Sequence, residues 1–572
     1  MSSTQKTLIK LFVVLLLSGS ALFLPNMLNT PDETLINPIQ ARVVALFIFA
    51  ALMWILEVIP IWTTSVLVIT LTLLGMSNQS LNFLQVDRYD TAAIKEIISD
   101  AYGPNADQET VAKTEETVLA DLKKQTSLTP AYVRTTINNT VLAPVVKGKV
   151  EKGSEKEQAL LAASANLYTG SASDKIEKLE LISVSKQKSI FSTFADPIII
   201  LFLGGFFLAD AATKYRLDVN LARVLLKPFG TNPKYVLLGL MSVTAVFSMF
   251  MSNTATAAMM LALLTPVLAL FKPEDRGRAA FALCIPIGAN VGGIGTPIGT
   301  PPNAIALKFM QDIGLDVSFG KWMAFGIPFV VIMLIVAWFV LLKMFPISQP
   351  SLDLSKELNG KFLKTPKAII VYITFIVTIL MWVIPKEYHG LDSNSVAIIP
   401  IAVFSVTGVI TKKDLQAMSW DVLWLVAGGF ALGVALSETN LAKDMINAIP
   451  FGTWDSTVLL IGASCICLFM ATFMSHTATA ALLVPILGGV ASAMLAAGSM
   501  DGAGAVALLV TVAFASSLGM ALPISTPPNA MAYATGHIEQ KGMAISGTIL
   551  CLLGLVITII MMKMLGGFGF FG

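Results

Sequence analysis

The residues of this chain best suited to chemistry occur twice. Met251-Ser252-Asn253-Thr254-Ala255-Thr256-Ala257-Ala258 and Met474-Ser475-His476-Thr477-Ala478-Thr479-Ala480-Ala481 are near copies, short, small and hydroxyl-rich inside long apolar regions. A matching break follows each copy: Gly299-Thr300-Pro301-Pro302-Asn303-Ala304 and Ser525-Thr526-Pro527-Pro528-Asn529-Ala530. Ser, Thr and Asn offer uncharged oxygens and hydrogen-bond donors. Where helices break, half-helix N-termini carry partial positive charge and free N–H groups that attract anions. Carbonyls freed at the break, with Ser and Asn oxygens, can cage a hard cation. A site with both features holds a cation and an anion side by side, each lowering the cost of burying the other. Small-residue tips also let helices pack closely, but two copies, each with its own Thr-Pro-Pro-Asn break, favour a transport site.

The elements that position these residues are repeated with them. A Gly-Gly-Phe precedes each copy, at 204–206 and 428–430, so three markers recur in one order about 225 residues apart. That is an internal duplication. With 55% hydrophobic residues, 13% charged and a mean hydropathy of +0.76, the chain is far too apolar for a soluble protein. Many runs reach the ~20 residues needed to cross a bilayer. A net charge of +2 points neither to nucleic acid nor to an acidic partner. Cys284, Cys465, Cys467 and Cys551 lie in apolar stretches with no His cluster beside them, and read as small membrane-buried side chains. The first apolar run begins beside Lys6 and Lys10 and has no small-x-small cleavage site before Pro25, so it reads as a retained helix.

The fold class is an all-α polytopic membrane protein of about eleven transmembrane helices plus two re-entrant hairpins in inverted repeats, with a small extramembrane insertion. Residues 1–86 are N-terminal transmembrane helices, 87–190 the insertion, 191–345 the first repeat with a hairpin at 235–271, 346–420 a linker with further helices, and 421–572 the second repeat with a hairpin at 456–497. Charges orient the chain. With the N-terminus cytoplasmic, the loop at 213–234 holds Lys214, Arg216, Arg223, Lys227 and Lys234 against Asp218 alone. The loop at 346–367 holds Lys356, Lys361, Lys364 and Lys367 against Asp353 and Glu357, whereas the outer loops carry only Lys386 and Lys443. From Asp87 to Lys188 the chain has 29 of its 74 charged residues and no Trp or Phe, with helical spacing, which reads as a mostly helical domain on the outer side.

At Ser252-Asn253-Thr254, its near copy at 475–477 and the two Thr-Pro-Pro-Asn segments, the chain resembles the divalent anion:sodium symporter family, carriers of di- and tricarboxylates or sulfate. The resemblance covers nearly everything except the insertion. It implies a homodimer in the cell (inner) membrane, each protomer having a scaffold part that forms the dimer and a transport part that moves like an elevator. It implies Na+ as the coupling ion, with a first sodium site on Ser248, Ser252, Asn253 and Gly299. Substrate would meet Asn253, Thr254 and Thr300 from the first repeat, and His476, Thr477, Thr526 and Pro527 from the second. A second sodium site would fall on Ser475 and Ser525, but the family pattern asks for Thr and Asn where this chain has Ala471 and His476. Alanine removes an oxygen, and a histidine nitrogen is a poor sodium ligand. His476 therefore leaves three readings open: a protonated ring replacing a sodium ion, a neutral ring donating a hydrogen bond to substrate, or a packing histidine.

Glu57, Asp196, Asp421 and Glu438 lie near predicted helix ends, where solvation is cheap, and read as interfacial. There is no P-loop, catalytic triad, metal-ligand helix or dinucleotide fingerprint to support an enzyme or an ATP-driven pump. The expectation is a secondary active transporter of small divalent anions, a sodium-coupled symporter of C4-dicarboxylates such as succinate, malate or fumarate. The alternatives are a sodium-independent dicarboxylate exchanger, a sulfate or tricarboxylate carrier and, in a different class, a non-transporting membrane receptor for such anions.

Overall fold

In the computed structural model the described residues are 3–29, 35–84, 89–104, 106–125, 128–179, 181–268, 270–272, 274–352, 362–441, 444 and 455–571. Asp87, Asp353, Lys356, Glu357, Lys361 and Lys443, used above to read topology and the insertion, lie outside them. The fold is all helical: the described residues form no strand, only two isolated β-bridges. The principal helices are α1 (Ser3–Ser20), α2 (Pro38–Leu56), α3 (Ile61–Met76), α4 (Thr91–Tyr102), α5 (Gln108–Leu122), α6 (Pro130–Val146), α7 (Glu155–Asn166) and α8 (Gly170–Glu177). They continue with α9 (Pro197–Lys214), α10 (Pro233–Ser248), α11 (Asn253–Leu268), α12 (Gly277–Gly293), α13 (Pro301–Asp312), α14 (Phe319–Met344), α15 (Pro366–Val383) and α16 (Ser393–Val406). The last six are α17 (Trp420–Glu438), α18 (Ser456–Phe473), α19 (His476–Ala496), α20 (Gly502–Leu518), α21 (Pro527–Ala534) and α22 (Gln540–Gly567). Among the described residues nine helices are long and apolar enough to cross a membrane. Ile373, Ile376, Val556 and Ile560 leave more than half their surface uncovered, as lipid-facing positions do.

One local rule starts many of these helices. A polar residue followed by proline opens α2 (Asn37-Pro38), α6 (Thr129-Pro130), α9 (Asp196-Pro197), α10 (Asn232-Pro233), α13 (Thr300-Pro301), α15 (Thr365-Pro366) and α21 (Thr526-Pro527). The polar residue can cap a free N–H, and proline fills a position whose N–H has no helical partner. The Gly-Gly-Phe markers serve packing. A methyl group on Gly204 would come within 2.5 Å of Ala397 O on α16, and one on Gly428 within 2.5 Å of Ser65 Cβ on α3. Glycine there lets helix backbones nearly touch.

Helices α4 to α8 fold around a core of their own that includes Ile94, Ile97, Ile98, Val118, Val133, Ile137 and Leu167. Main-chain bonds from Ser185 N to Met76 O (2.9 Å) and Asn78 N to Ser185 O (2.9 Å) pin the two ends of this segment together. The Glu438 carboxylate, at the end of α17, clasps its return by accepting from Lys186 N (2.7 Å) and Ser189 Oγ (2.8 Å).

Candidate functional site

Each twin motif is the turn between two helices. In the first repeat α10 ends at Ser248 and α11 begins at Asn253, where Ser252 Oγ accepts from Ala255 N at 3.2 Å. In the second, α18 ends at Phe473 and α19 begins at His476, where Ser475 Oγ accepts from Ala478 N, again at 3.2 Å. Both serines are N-caps. Ser252 O and Ser475 O take the N–H groups of Thr256 and Thr479. Helix geometry then leaves the N–H groups of Asn253 and Thr254, and of His476 and Thr477, with no acceptor inside the helix.

The asparagines of the two Thr-Pro-Pro-Asn segments clamp the breaks. Asn303 Nδ2 donates to Gly293 O (3.0 Å), Ile294 O (3.3 Å) and Thr296 O (2.8 Å), the carbonyls released where α12 ends. Asn529 Nδ2 does the same at the end of α20, donating to Met520 O (2.8 Å) and Leu522 O (3.0 Å). Broken helix inside an apolar protein is tolerated because these groups are paired.

Between the first hairpin and the first break lies a cradle of oxygens. Ser248 Oγ, fully buried, is 2.7 Å from Ala289 O and 2.7 Å from the Asn253 side chain. The inward-facing atom of the Asn253 amide is also 3.2 Å from Gly299 O and 3.2 Å from Ala289 O. The two amide orientations have opposite meanings. With nitrogen inward, the amide donates to all three neighbours and closes the cradle. With oxygen inward, four oxygens converge on one point, the donor set of a hard cation. The space depends on Gly293, since a methyl group there would sit 2.6 Å from Asn253 Oδ1 and 3.0 Å from Gly299 O. Of the expected sodium ligands, Ser248, Asn253 and Gly299 meet here. The Ser252 hydroxyl is taken by its cap, and Ala289 supplies an oxygen that carries no side-chain signal in sequence.

The second repeat fills the corresponding space with protein. Ala471 stands in the place of Ser248 and packs on Gly519, where a methyl group would come within 2.5 Å of Ala471 O. His476, buried, replaces Asn253, and its Nε2 donates to Gly519 O at 2.9 Å. Ser525 Oγ donates to Thr472 O (2.7 Å) and accepts from Leu522 N (3.1 Å). The side-chain oxygens expected for a second cation site are therefore absent at Ala471 and His476, spent in a hydrogen bond at Ser525, and used as a cap at Ser475.

The residues expected to meet substrate lie on elements that cross between repeats: α11 packs against α21, and α13 against α19. Thr254 and Pro527 are exposed, Thr477 is half-buried, and Thr300 and Thr526 are buried. A polar contact spans the interface, from Asn290 Nδ2 on α12 to Thr526 Oγ1 (3.2 Å) and Asn529 Oδ1 (3.1 Å). Sequence reading missed Asn290, although a lone amide in the apolar run of α12 is the kind of signal that marks function in a membrane. A cavity of about 890 Å³ lies elsewhere, beside Ser189 and Glu438 where the insertion returns to the membrane helices. There Lys308 pairs with Asp312 and, at 3.5 Å, with Asp196. It contains none of the twin-motif residues.

Many apolar helices, two helix pairs with capped tips and two clamped breaks define a polytopic membrane carrier. Comparison with known proteins agrees. The citrate transporter (CitMHS) family model matches residues 158–502. The chain is 33% identical over 383 residues to an uncharacterized transporter of Haemophilus influenzae, covering 64% of this chain and 80% of that one. It is 30% identical over 420 residues to the sodium-dependent dicarboxylate transporter SdcS of Staphylococcus saprophyticus, covering 67% and 79%. It is also 30% identical over 361 residues to the inorganic phosphate transporter PHO87 of Saccharomyces cerevisiae, covering 62% of this chain and 38% of that longer protein. The chain belongs to the citrate transporter family, consistent with the divalent anion:sodium symporter resemblance, and is a transporter rather than an enzyme.

Proposed function

We propose that this chain is a sodium-coupled symporter of small divalent anions, taking C4-dicarboxylates such as succinate, malate or fumarate, with Na+ as the coupling ion. It works as a homodimer in the cell (inner) membrane, N-terminus cytoplasmic, its transport part moving like an elevator past the scaffold. The observation that carries this reading is the meeting of Ser248 Oγ, Ala289 O, Gly299 O and the Asn253 side-chain amide beside the uncapped N–H groups at the start of α11; with the amide oxygen turned inward these form a cation cradle. A cation in that cradle and an anionic carboxylate on those N–H groups would sit side by side and stabilise each other. The name of SdcS adds sodium and dicarboxylate to the case, at 30% identity. Asn253, Thr254, Thr300, Thr477, Thr526, Pro527 and His476 are the proposed substrate contacts.

A second reading is favoured by one observation. Ala471 and His476 fill the second repeat's cradle, so a carrier using fewer sodium ions, or a sodium-independent exchanger, fits that half better. Purified protein in proteoliposomes, given labelled succinate, malate, fumarate, citrate, sulfate and phosphate with and without a sodium gradient, separates the two. Symport predicts accumulation that requires sodium. Uptake that ignores sodium but requires a counter-anion inside would replace symport by exchange.

A further inference from the structure

We propose that Asn290 is a positioning residue that locks the two half-sites together by holding Thr526, whose own proton is committed to Asn529 rather than to an anion. The inference rests on the transport reading above for its functional consequence; its geometry stands alone. Asn529 Nδ2 is held by Met520 O and Leu522 O, so Asn529 Oδ1 must face Asn290. Asn290 can meet that oxygen only with its nitrogen. Its own Oδ1 is thereby left buried with no partner, a cost the fold accepts in return for two bonds across the repeat interface. Thr526 Oγ1 accepts from Asn290 Nδ2 (3.2 Å) and from Asn529 N (3.2 Å), and donates to Asn529 Oδ1 (3.1 Å). A hydroxyl has one proton and two lone pairs, and all three are engaged.

The first repeat has no such lock. The position matching Asn290 is Ser516, whose hydroxyl donates to Val512 O (2.8 Å) and meets Cys467 Sγ (2.9 Å) inside its own repeat. Thr300, the match to Thr526, is buried, and its side chain makes no cap bond. The half-sites are thus chemically unequal. Thr300 keeps a proton to give an anion, whereas Thr526 contributes only shape and main chain. Asn290 does not touch substrate; it acts by holding Thr526 and the end of α21 at a fixed distance from α12.

Asn290→Ala, Asn290→Leu, Thr526→Val and the Asn290→Ala/Thr526→Val double variant, in proteoliposomes with labelled succinate as probe, test this. Asn290→Ala should raise the succinate KM roughly tenfold, with Vmax and the sodium activation midpoint within about twofold of wild type. The near-isosteric Leu should behave like Ala, because the donor and not the volume is lost. In the Thr526→Val background the Ala substitution should add less than about twofold, since a residue acting through another shows a non-additive cycle. An unchanged KM, a Leu variant like wild type, or effects that multiply independently would each overturn the role of Asn290. Wild-type protein that carries no anion at all would instead refute the transport reading, and with it this consequence.

Discussion

Replacing Ser248 by Ala removes the hydroxyl oxygen from the polar groups that meet at the first hairpin and leaves the shape of α10 intact. Ser248 is fully buried and its Oγ lies 2.7 Å from Ala289 O and from the Asn253 side chain, so its loss leaves those partners without that contact. A hydrogen-bonding contact to a charged group is worth about 1.5–3 kcal/mol, and each 1.4 kcal/mol is tenfold in affinity. The sodium concentration for half-maximal uptake should therefore rise roughly 10- to 100-fold. At saturating sodium the succinate KM and Vmax should return close to wild type, because the tip N–H groups are untouched. The assay is initial-rate uptake of labelled succinate in proteoliposomes across a sodium series at constant ionic strength. An unchanged sodium midpoint would show that the cradle holds no coupling ion. An equal fall in Vmax at every sodium concentration would mean that Ser248 serves packing alone.

Three further outcomes follow from the same geometry. Thr300→Val removes the buried hydroxyl left free in the first break and should raise the succinate KM roughly tenfold or more, read from the same uptake curves. Ala471→Ser with His476→Asn gives the second repeat the side-chain pattern of the first, so sodium activation should turn from hyperbolic to sigmoidal; a curve that stays hyperbolic in an active carrier would refute the comparison of the two cradles. In the insertion, Lys175 and Ser171 hold the Asp100 carboxyl below its ordinary range, so the unfolded chain binds the proton more readily. That contribution is present above about pH 4 and is lost as pH falls through the depressed value in the folded chain; exposed as the pair is, solvent screening keeps it small. Limited proteolysis of the full chain should cut the insertion faster near pH 3 than near pH 6, and Asp100→Asn should narrow that difference.

The all-helical membrane architecture was legible because bilayer crossing demands long apolar runs, and the helix starts because a polar cap before proline is a local signal. The twin motif was legible as chemistry because small polar residues are costly in apolar surroundings. Its division of labour was not. Ser252 and Ser475 carry the right oxygens for a cation, yet a serine one residue before an apolar helix is also a cap, and capping is what they do. Ala289 and Gly299 offer main-chain carbonyls, which no residue type announces. The lock at Asn290 reaches a partner 236 residues away, and no periodicity encodes a contact between repeats. Ala471 and His476 did stand out, because a duplicated sequence supplies its own reference: a substitution in one copy is visible against the other.

That reference also bears on the proposed symport, and on how a pair of repeats would hold a doubly charged anion with one cation. Each hairpin tip presents the start of a helix, equivalent to about half a positive charge, so the two tips together offset about one of an anion's two charges. The Pro-Pro sequences opening α13 and α21 delete two N–H donors each, so those ends add little. The remaining charge must come from a bound cation or a protonated group. In the proposed symport, the first repeat would supply the former: with the Asn253 amide oxygen turned inward, it joins Ser248 Oγ, Ala289 O and Gly299 O. In the second, His476 spends its Nε2 proton on Gly519 O, a bond that holds the ring in place whether or not the other nitrogen is protonated. In the proposed symport, one cradle for sodium and one plugged by alanine and histidine would give a pair that is near neutral with a single sodium and a dicarboxylate. On this reasoning a trivalent anion such as citrate would leave about one negative charge buried without an answer, and is accepted only with a proton. Citrate uptake should therefore rise as pH falls from 8 to 6 while succinate uptake stays flat, and parallel pH profiles for the two would refute the charge argument.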